Sequence, residues 1–302
     1  MKRSTAELVL NARRAGTAVP SFNIPYLPMM EAVVRALRDT NCVGLIAAAR
    51  CDWEKFQALS PRAVRDEYQR LKDERLTRLH MDHVPVVDED GRRVDAEAIL
   101  AEALDLGYES VMVDGSRLPL EENIAVTARV VERARAAGAA AEAELGAIMG
   151  HEEGPMPPYD ELFASGRGFT DPAEAGRFVR DTAVDWLSVA IGNFHGAISK
   201  ARKDARKPQA RLNIDHLRKI ARLADVPLVL HGGTGIPRHY LSQAFRTGIA
   251  RVNIAAAIRQ AYESAMEQSV AKAQQLTYGT AVRTIRDDLG IEGSAAIIDP
   301  AG

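Results

Sequence analysis

Short apolar runs alternate with longer amphipathic stretches from about residue 18 to residue 274. The runs predict strands over Val19–Ile24, Val43–Ala48, Arg78–Asp82, Ser110–Val113, Ala139–Glu144, Asp185–Ala190, Pro227–His231 and Ala250–Ile254. Between them, helix-like patterns cover Pro28–Arg38, Asp95–Leu106, Glu121–Ala137, Asp171–Thr182, Ile214–Leu223 and Arg238–Thr247. Asp171 before Pro172, and Asn213 before an apolar helical pattern, are start signals: a side-chain oxygen can accept from the unsatisfied amides of a first turn. Eight strands alternating with helices predict a (β/α)8 TIM barrel. An open doubly wound sheet is the competitor, but no GxGxxG turn follows the first strand. Residues 1–302 read as one barrel domain, with an N-terminal helix over about 4–16 and a helical extension over about 275–302.

Three segments interrupt the rhythm. Val84–Val94 reads as a polar excursion after the third strand. Gly146–Phe169 is rich in Gly and Pro, as expected of a mobile loop over a site. Ala197–Arg211 carries Lys200, Arg202, Lys203, Arg206, Lys207 and Arg211; a solvated face is the ordinary reading of such a run, and cover for a second anionic group is the functional one.

Composition narrows the classes. The 302 residues are 46% hydrophobic and 26% charged, which excludes disordered and collagen-like chains. Lys and Arg number 39 against 41 Asp and Glu, so the net charge of -2 offers no bulk grip on nucleic acid. The two cysteines, Cys42 and Cys51, lack CxxC spacing and fit a reducing compartment. No apolar run is long enough for a secretory signal or a transmembrane helix. The expectation is a cytoplasmic protein with neither membrane nor nucleic-acid partner.

The candidate chemistry collects at strand ends. Asp82 and His83 end the third predicted strand and Asp114 follows the fourth; Glu142 and Glu144 lie on the fifth, His195 follows the sixth, and His231 ends the seventh. In a barrel those ends converge on one mouth, where three imidazoles and several carboxylates match a catalytic metal site. Each residue also has a bland reading. A lone His is commonly a hydrogen-bonded surface residue, Glu142 and Glu144 suit a solvated strand edge, and Asp114 suits a turn. Asp82 and His83 cannot both point inward from regular β-structure, so the strand must end and turn for His83 to reach a metal. GGTG at Gly232–Gly235, then Asn253 before a helix start, suits phosphate held by backbone amides.

Taken together, the motifs LHMDH (79–83), GYESVMVDGS (107–116), AEAELG (141–146), DWLSVAIGNFHG (185–196), PLVLHGGTGIP (227–237) and GIARVNIAAAI (248–258) resemble those of the class II, metal-dependent fructose-bisphosphate and tagatose-bisphosphate aldolases. The similarity runs from about Val19 to Tyr262, and Gly146–Glu152 is closer to the tagatose-type branch. The resemblance implies that His83, His195 and His231 bind a zinc ion or another divalent transition metal, with a monovalent cation as a further cofactor candidate. It implies Asp82 as the proton-transferring carboxylate, and Asp114 and Glu144 as a second or alternative metal position. Asn23, Gly196, Gly232, Gly233, Thr234, Asn253, Ala255 and Ala256 would line the substrate site for dihydroxyacetone phosphate, with Glu152 or Glu153 as loop acid. A homodimer or homotetramer acting on a small sugar phosphate is implied as well.

The sequence departs from the family pattern around the substrate. Ala255, Ala256 and Ala257 stand where relatives carry hydroxyl or acidic residues, and losing one hydrogen bond to an anion costs about 1–3 kcal/mol. Pro25, Tyr26, Ala47–Arg50, Val84 and Asn193 also depart, and Pro85–Arg93 reads as an insertion. The expectation is therefore an aldolase acting on a ketose phosphate other than fructose 1,6-bisphosphate. Isomerisation, epimerisation or decarboxylation through the same enediolate chemistry is the enzymatic alternative, and a non-catalytic sugar-phosphate-binding barrel is the other.

Overall fold

The protein was analysed as a computed structural model, which describes residues 3–148, 158–194 and 210–300. Its strands are β1 (Val19–Asn23), β2 (Gly44–Ala49), β3 (Thr77–Pro85), β4 (Ser110–Asp114), β5 (Ala140–Leu145), β6 (Trp186–Val189), β7 (Leu228–Leu230) and β8 (Ile249–Ile254). They pair in parallel and in chain order, and β8 closes on β1 through Val19–Arg251 and Ser21–Asn253. The expected TIM barrel is what forms.

The helices are α1 (Thr5–Ala15), α2 (Met29–Asp39), α3 (Arg50–Glu54), α4 (Pro61–Leu71), α5 (Ala96–Asp105), α6 (Leu120–Ala136), α7 (Tyr159–Ser165), α8 (Pro172–Thr182), α9 (Ile214–Ala224), α10 (Arg238–Thr247), α11 (Ala256–Glu263), α12 (Val270–Arg283) and α13 (Ala295–Ile298). A π-helical turn, Thr284–Leu289, follows α12. The start signals act as expected. Asp171 accepts from Ala173 and Glu174 amides, and Asn213 accepts from the His216 amide at 3.0 Å. Ser4 and Glu7 form a reciprocal capping box on α1, which Gly16 ends at φ 64°.

The barrel's two ends differ in chemistry. At the N-terminal end, Leu8, Val9 and Ala12 of α1 and Ile298 of α13 pack on Val19, Leu45, Trp186 and Val229. That plug is apolar and removes water from the floor of the barrel. Towards the other end, inward positions become polar: Ser21, His80, Asp82, Glu142, Ser188 and Arg251 are fully buried, and Asn23 and Glu144 nearly so. The change of polarity along one axis is what places reactive groups at the C-terminal mouth.

Four expectations need correction. β3 does not end at Asp82. Its register slips between Met81 and Val84, and pairing with β4 resumes at Val84–Val113 and Pro85–Asp114. Val84–Val94 is consequently not an irregular excursion. The Val86 amide donates to Asp114 O, and Val94 and Val86 are paired across a tight turn at Asp88–Arg92. The solvated-edge reading of Glu142 and Glu144 also fails, because both are buried inside the barrel. Much of the 146–169 stretch is ordered: Ala147 bonds Gly168, and α7 occupies its second half. Residues 149–157, with Glu152 and Glu153, and 195–209, with His195 and Gly196, lie outside the described residues.

Candidate metal and catalytic centre

The bulge in β3 builds the centre. His83 adopts a left-handed backbone, φ 33°, uncommon for a residue with a Cβ. Asp82 and His83 can then both reach the mouth, although adjacent strand residues ordinarily face opposite sides. The His83 ring stands edge-on to that of His231, with centroids 4.4 Å apart and Nε2 2.8 Å from His231 Nδ1. Ligand atoms of Asp82, His83 and His231 all lie within 4.8 Å of one another.

Each imidazole is oriented by a carboxylate on its far side. His231 Nε2 lies 2.9 Å from Glu142 Oε1, and His83 Nδ1 lies 3.3 Å from Asp114 Oδ2. A ring that donates to a carboxylate through one nitrogen presents a lone pair at the other. The facing nitrogens, His83 Nε2 and His231 Nδ1, converge and share a proton in the metal-free protein, and a divalent cation would take that proton's place. The donor set of two imidazoles and a carboxylate suits a divalent transition metal.

Electrostatics follow from the same contacts. Burial disfavours charge on His83, but the Asp114 contact and the fields of Asp82 and Glu144 outweigh it and push its pKa up to about 10. Burial, with the neighbouring His83 charge, lowers His231. Burial also favours protonated Asp82, yet His80, both facing imidazoles and Arg251 hold it well below the usual carboxylate range. Glu144 goes the other way: burial and the Asp114 charge raise it to about 8. Ser188 Oγ donates to Glu144 Oε2 at 3.0 Å, and His83 Nε2 is 4.0 Å from the same oxygen.

Asp114 fulfils both of its readings. Its Oδ1 accepts from the Ser116 amide and hydroxyl, closing a turn, while its Oδ2 faces His83. Asn23 and Asn253 converge on Asp82 Oδ2, donating at 3.1 Å and 3.0 Å. Gly232, Thr234, Ala255 and Ala256 line the cavity over the centre, together with Asn23 and Asn253. Gly233 packs underneath instead; a Cβ there would meet Val252 Cγ1 at 2.5 Å. Asn193 is tied to the backbone, accepting from the Ile191 amide and donating to Val189 O and to His231 O at 3.0 Å.

Sequence reasoning missed Arg251 and Asp52. Arg251 is fully buried, donating to Glu142, to Asp82 Oδ1 at 3.1 Å, to Ser21 Oγ at 3.0 Å and to Asn253 Oδ1 at 3.2 Å. It joins the carboxylate behind His231 to Asp82. The available signal was alternation: in ARVNI the apolar residues Ala250, Val252 and Ile254 alternate with Arg251 and Asn253, which places that cation on the inward face.

The profile of the class-II fructose-bisphosphate aldolases matches residues 3–291. A fructose-bisphosphate aldolase of Streptococcus pyogenes serotype M3 is 33% identical over 272 residues, covering 88% of this chain and 82% of the relative. Among solved structures, the YdjI aldolase of Escherichia coli K12 superposes with a TM-score of 0.74 at 24% identity, over 98% of this chain and 100% of that one. The fructose-bisphosphate aldolase of Campylobacter jejuni gives 0.69 at 18% identity, over 95% and 94%. At those identities the two structures speak for the fold alone, whereas the profile match spans nearly the whole chain. The chain belongs to the class II fructose-bisphosphate aldolase family.

Proposed function

We propose that the enzyme catalyses reversible, metal-dependent retro-aldol cleavage of a ketose phosphate to dihydroxyacetone phosphate and an aldehyde. The observation that carries the reading is the buried, ionised Asp82 beside two imidazoles, each backed by its own carboxylate. His83 and His231 would hold the metal, with His195, by the family motif, as third ligand and Asp114 and Glu144 as a second or alternative position. Zinc suits these donors, as does another divalent transition metal. A divalent ion there supplies Lewis acidity for the negative charge that the donor carbonyl oxygen gains in cleavage.

The chain's own groups perform the proton work. In cleavage, Asp82 takes the proton of the C4 hydroxyl as the C3–C4 bond breaks and its electron pair moves to the donor half. In synthesis the same carboxylate is placed for the donor C–H proton. Asn23 and Asn253 hold Asp82 Oδ2 from two sides, so its orientation does not depend on substrate. Gly232 and Thr234, with the first turn of α11 at Ala255 and Ala256, would receive the donor phosphate through backbone amides. Gly196 belongs to the same proposed set, and Glu152 or Glu153 to the proton return at the donor carbon. Side chains at 255–257 offer no hydroxyl or charge, so the donor phosphate would rest on backbone amides there.

Condensation of dihydroxyacetone phosphate with a series of aldehydes tests the reading. Activity should vanish in chelator-treated enzyme and return with added zinc, manganese or cobalt. Undiminished condensation by metal-free protein would defeat it.

A further inference from the structure

The cavity continues round the barrel from the donor wall at β7 and β8 to a wall made by the β1 end and α3. Asp52, on α3, is 5% exposed and lines that wall. Its Oδ2 is fully engaged, accepting from the Ala49 amide at 2.8 Å and from Asn23 Nδ2 at 3.2 Å. Among the described residues, the contact made by Oδ1 is the Cys51 thiol at 3.9 Å, a weak donor. A nearly buried carboxylate oxygen in this state favours a hydroxyl donor from a ligand.

The charge of this wall argues in the same direction. Its cations are already compensated: Arg50 by Glu54 at 2.7 Å and Asp88 at 3.7 Å, Lys55 by Glu89, and Arg259 by Glu263 at 2.7 Å. Asp52 has no ion pair among the described residues, and Asn23 links it to Asp82. A second carboxylate so close to the reacting one repels a phosphate dianion at low local dielectric. Arg117, the lining cation without an ion pair among the described residues, is exposed, where salt screens it.

We infer that Asp52 determines the acceptor: its carboxylate binds a hydroxyl of the incoming aldehyde, and the enzyme takes an unphosphorylated hydroxyaldehyde. The inference rests on the aldolase reading above and deepens it. The residues that depart from the family pattern at Pro25 and Arg50 flank the same wall, so one change of acceptor accounts for both.

The test compares kcat/KM at about pH 8, above the Asp52 pKa of about 7 so that its carboxylate is ionised, for glyceraldehyde, glyceraldehyde 3-phosphate and propionaldehyde, each condensed with dihydroxyacetone phosphate. Wild-type enzyme should favour glyceraldehyde over propionaldehyde by about 10- to 100-fold, the usual weight of a buried hydrogen bond to a charged group, and should favour it over the phosphorylated aldehyde. Asp52→Leu should bring both ratios towards unity, whereas Asp52→Asn should keep the hydroxyl preference and lose the discrimination against phosphate. Ratios are independent of how much active protein each variant yields, and the wild-type order decides even if Asp52→Leu fails to fold. A wild type that prefers glyceraldehyde 3-phosphate, or ratios that Asp52→Leu leaves unchanged, would overturn the assignment. Enzyme that exchanges the donor C–H proton yet condenses phosphorylated aldehydes best, or none of the three, sinks this inference and spares the donor half of the mechanism. Enzyme that neither exchanges nor condenses sinks both.

Discussion

Replacing Arg251 by methionine should destabilise the protein more than most single changes. The side chain is fully buried, and removing it leaves Glu142 and Asp82 facing each other across the barrel without their shared cation. Breaking a buried ion pair by removing one partner costs about 3–5 kcal/mol, because the remaining charge stays desolvated. In a chain of this size that is a fall in melting temperature of roughly 5–8 °C. Arg251→Lys keeps the charge but has three donors for four acceptors, and should recover part of the loss. The informative comparison is Arg251→Met with Glu142→Leu. Removing both charges eliminates the uncompensated Glu142 but leaves Asp82 without its Arg251 contact, so melting temperature should rise part of the way back towards wild type. Metal affinity should not recover, because His231 Nε2 then lacks the oxygen that holds its ring. Calorimetric melting of metal-free protein and zinc competition with a chromophoric chelator read the two effects separately. The reasoning is refuted if Arg251→Met melts within a degree or two of wild type, or if the double variant binds zinc normally.

Further expectations follow from the same contacts. Glu142→Gln should weaken metal binding about 10- to 100-fold by equilibrium competition, since the carboxylate that orients His231 loses its charge; unchanged affinity would detach Glu142 from the metal. Gly233→Ala should raise KM for the donor by about tenfold or more, because the new Cβ would meet Val252 at 2.5 Å and push the glycine loop off its seat; wild-type kinetics would show that the loop tolerates displacement. Burial raises the Asp52 pKa from an ordinary 3.8 to about 7, so between those values the folded protein binds the proton more tightly than the unfolded chain. Its contribution is therefore present at low pH and lost as pH rises from about 4 to 7. Relative to Asp52→Asn, metal-free wild type should lose stability across that interval, by up to on the order of 3 kcal/mol. Parallel melting-temperature profiles for the two proteins would contradict this.

The barrel was legible because its strands are short apolar runs rich in Val, Ile and Ala, six of them followed by a helical pattern and two of those patterns opened by a start signal, Asp171 and Asn213. Asp82, His83, Asp114 and His231 were legible for a related reason: charged residues at successive strand ends share one mouth. The bulge at His83 was half legible. Two adjacent polar residues demanded a break, but Val84 and Val86 are apolar enough to return to the sheet, so pairing resumes where an end was expected. Inside the barrel, the burial of Glu142 turns on its pairing with Arg251, contributed 109 positions later in the chain, a pairing no local pattern reveals; Glu144 is covered by Ser188 and His83 instead. Asp52 escaped notice because α3 is too short to show periodicity, and its neighbours Trp53 and Phe56 suit a loop or a helix equally well. The Ala255–Ala257 stretch shows the opposite limit. What is missing there is plain in the sequence, whereas what replaces it depends on how the walls of the cavity meet.

Proton exchange at the donor tests the central claim without any knowledge of the aldehyde. Zinc-loaded enzyme is incubated with dihydroxyacetone phosphate in D2O, and loss of the C3 proton signal is followed by NMR. Exchange should be stereospecific, abolished by chelator, and slowed in Asp82→Asn by about 100-fold or more, the usual weight of a positioned proton-transfer group. Exchange at an undiminished rate in Asp82→Asn, or none in wild type that has bound its metal, would contradict the account.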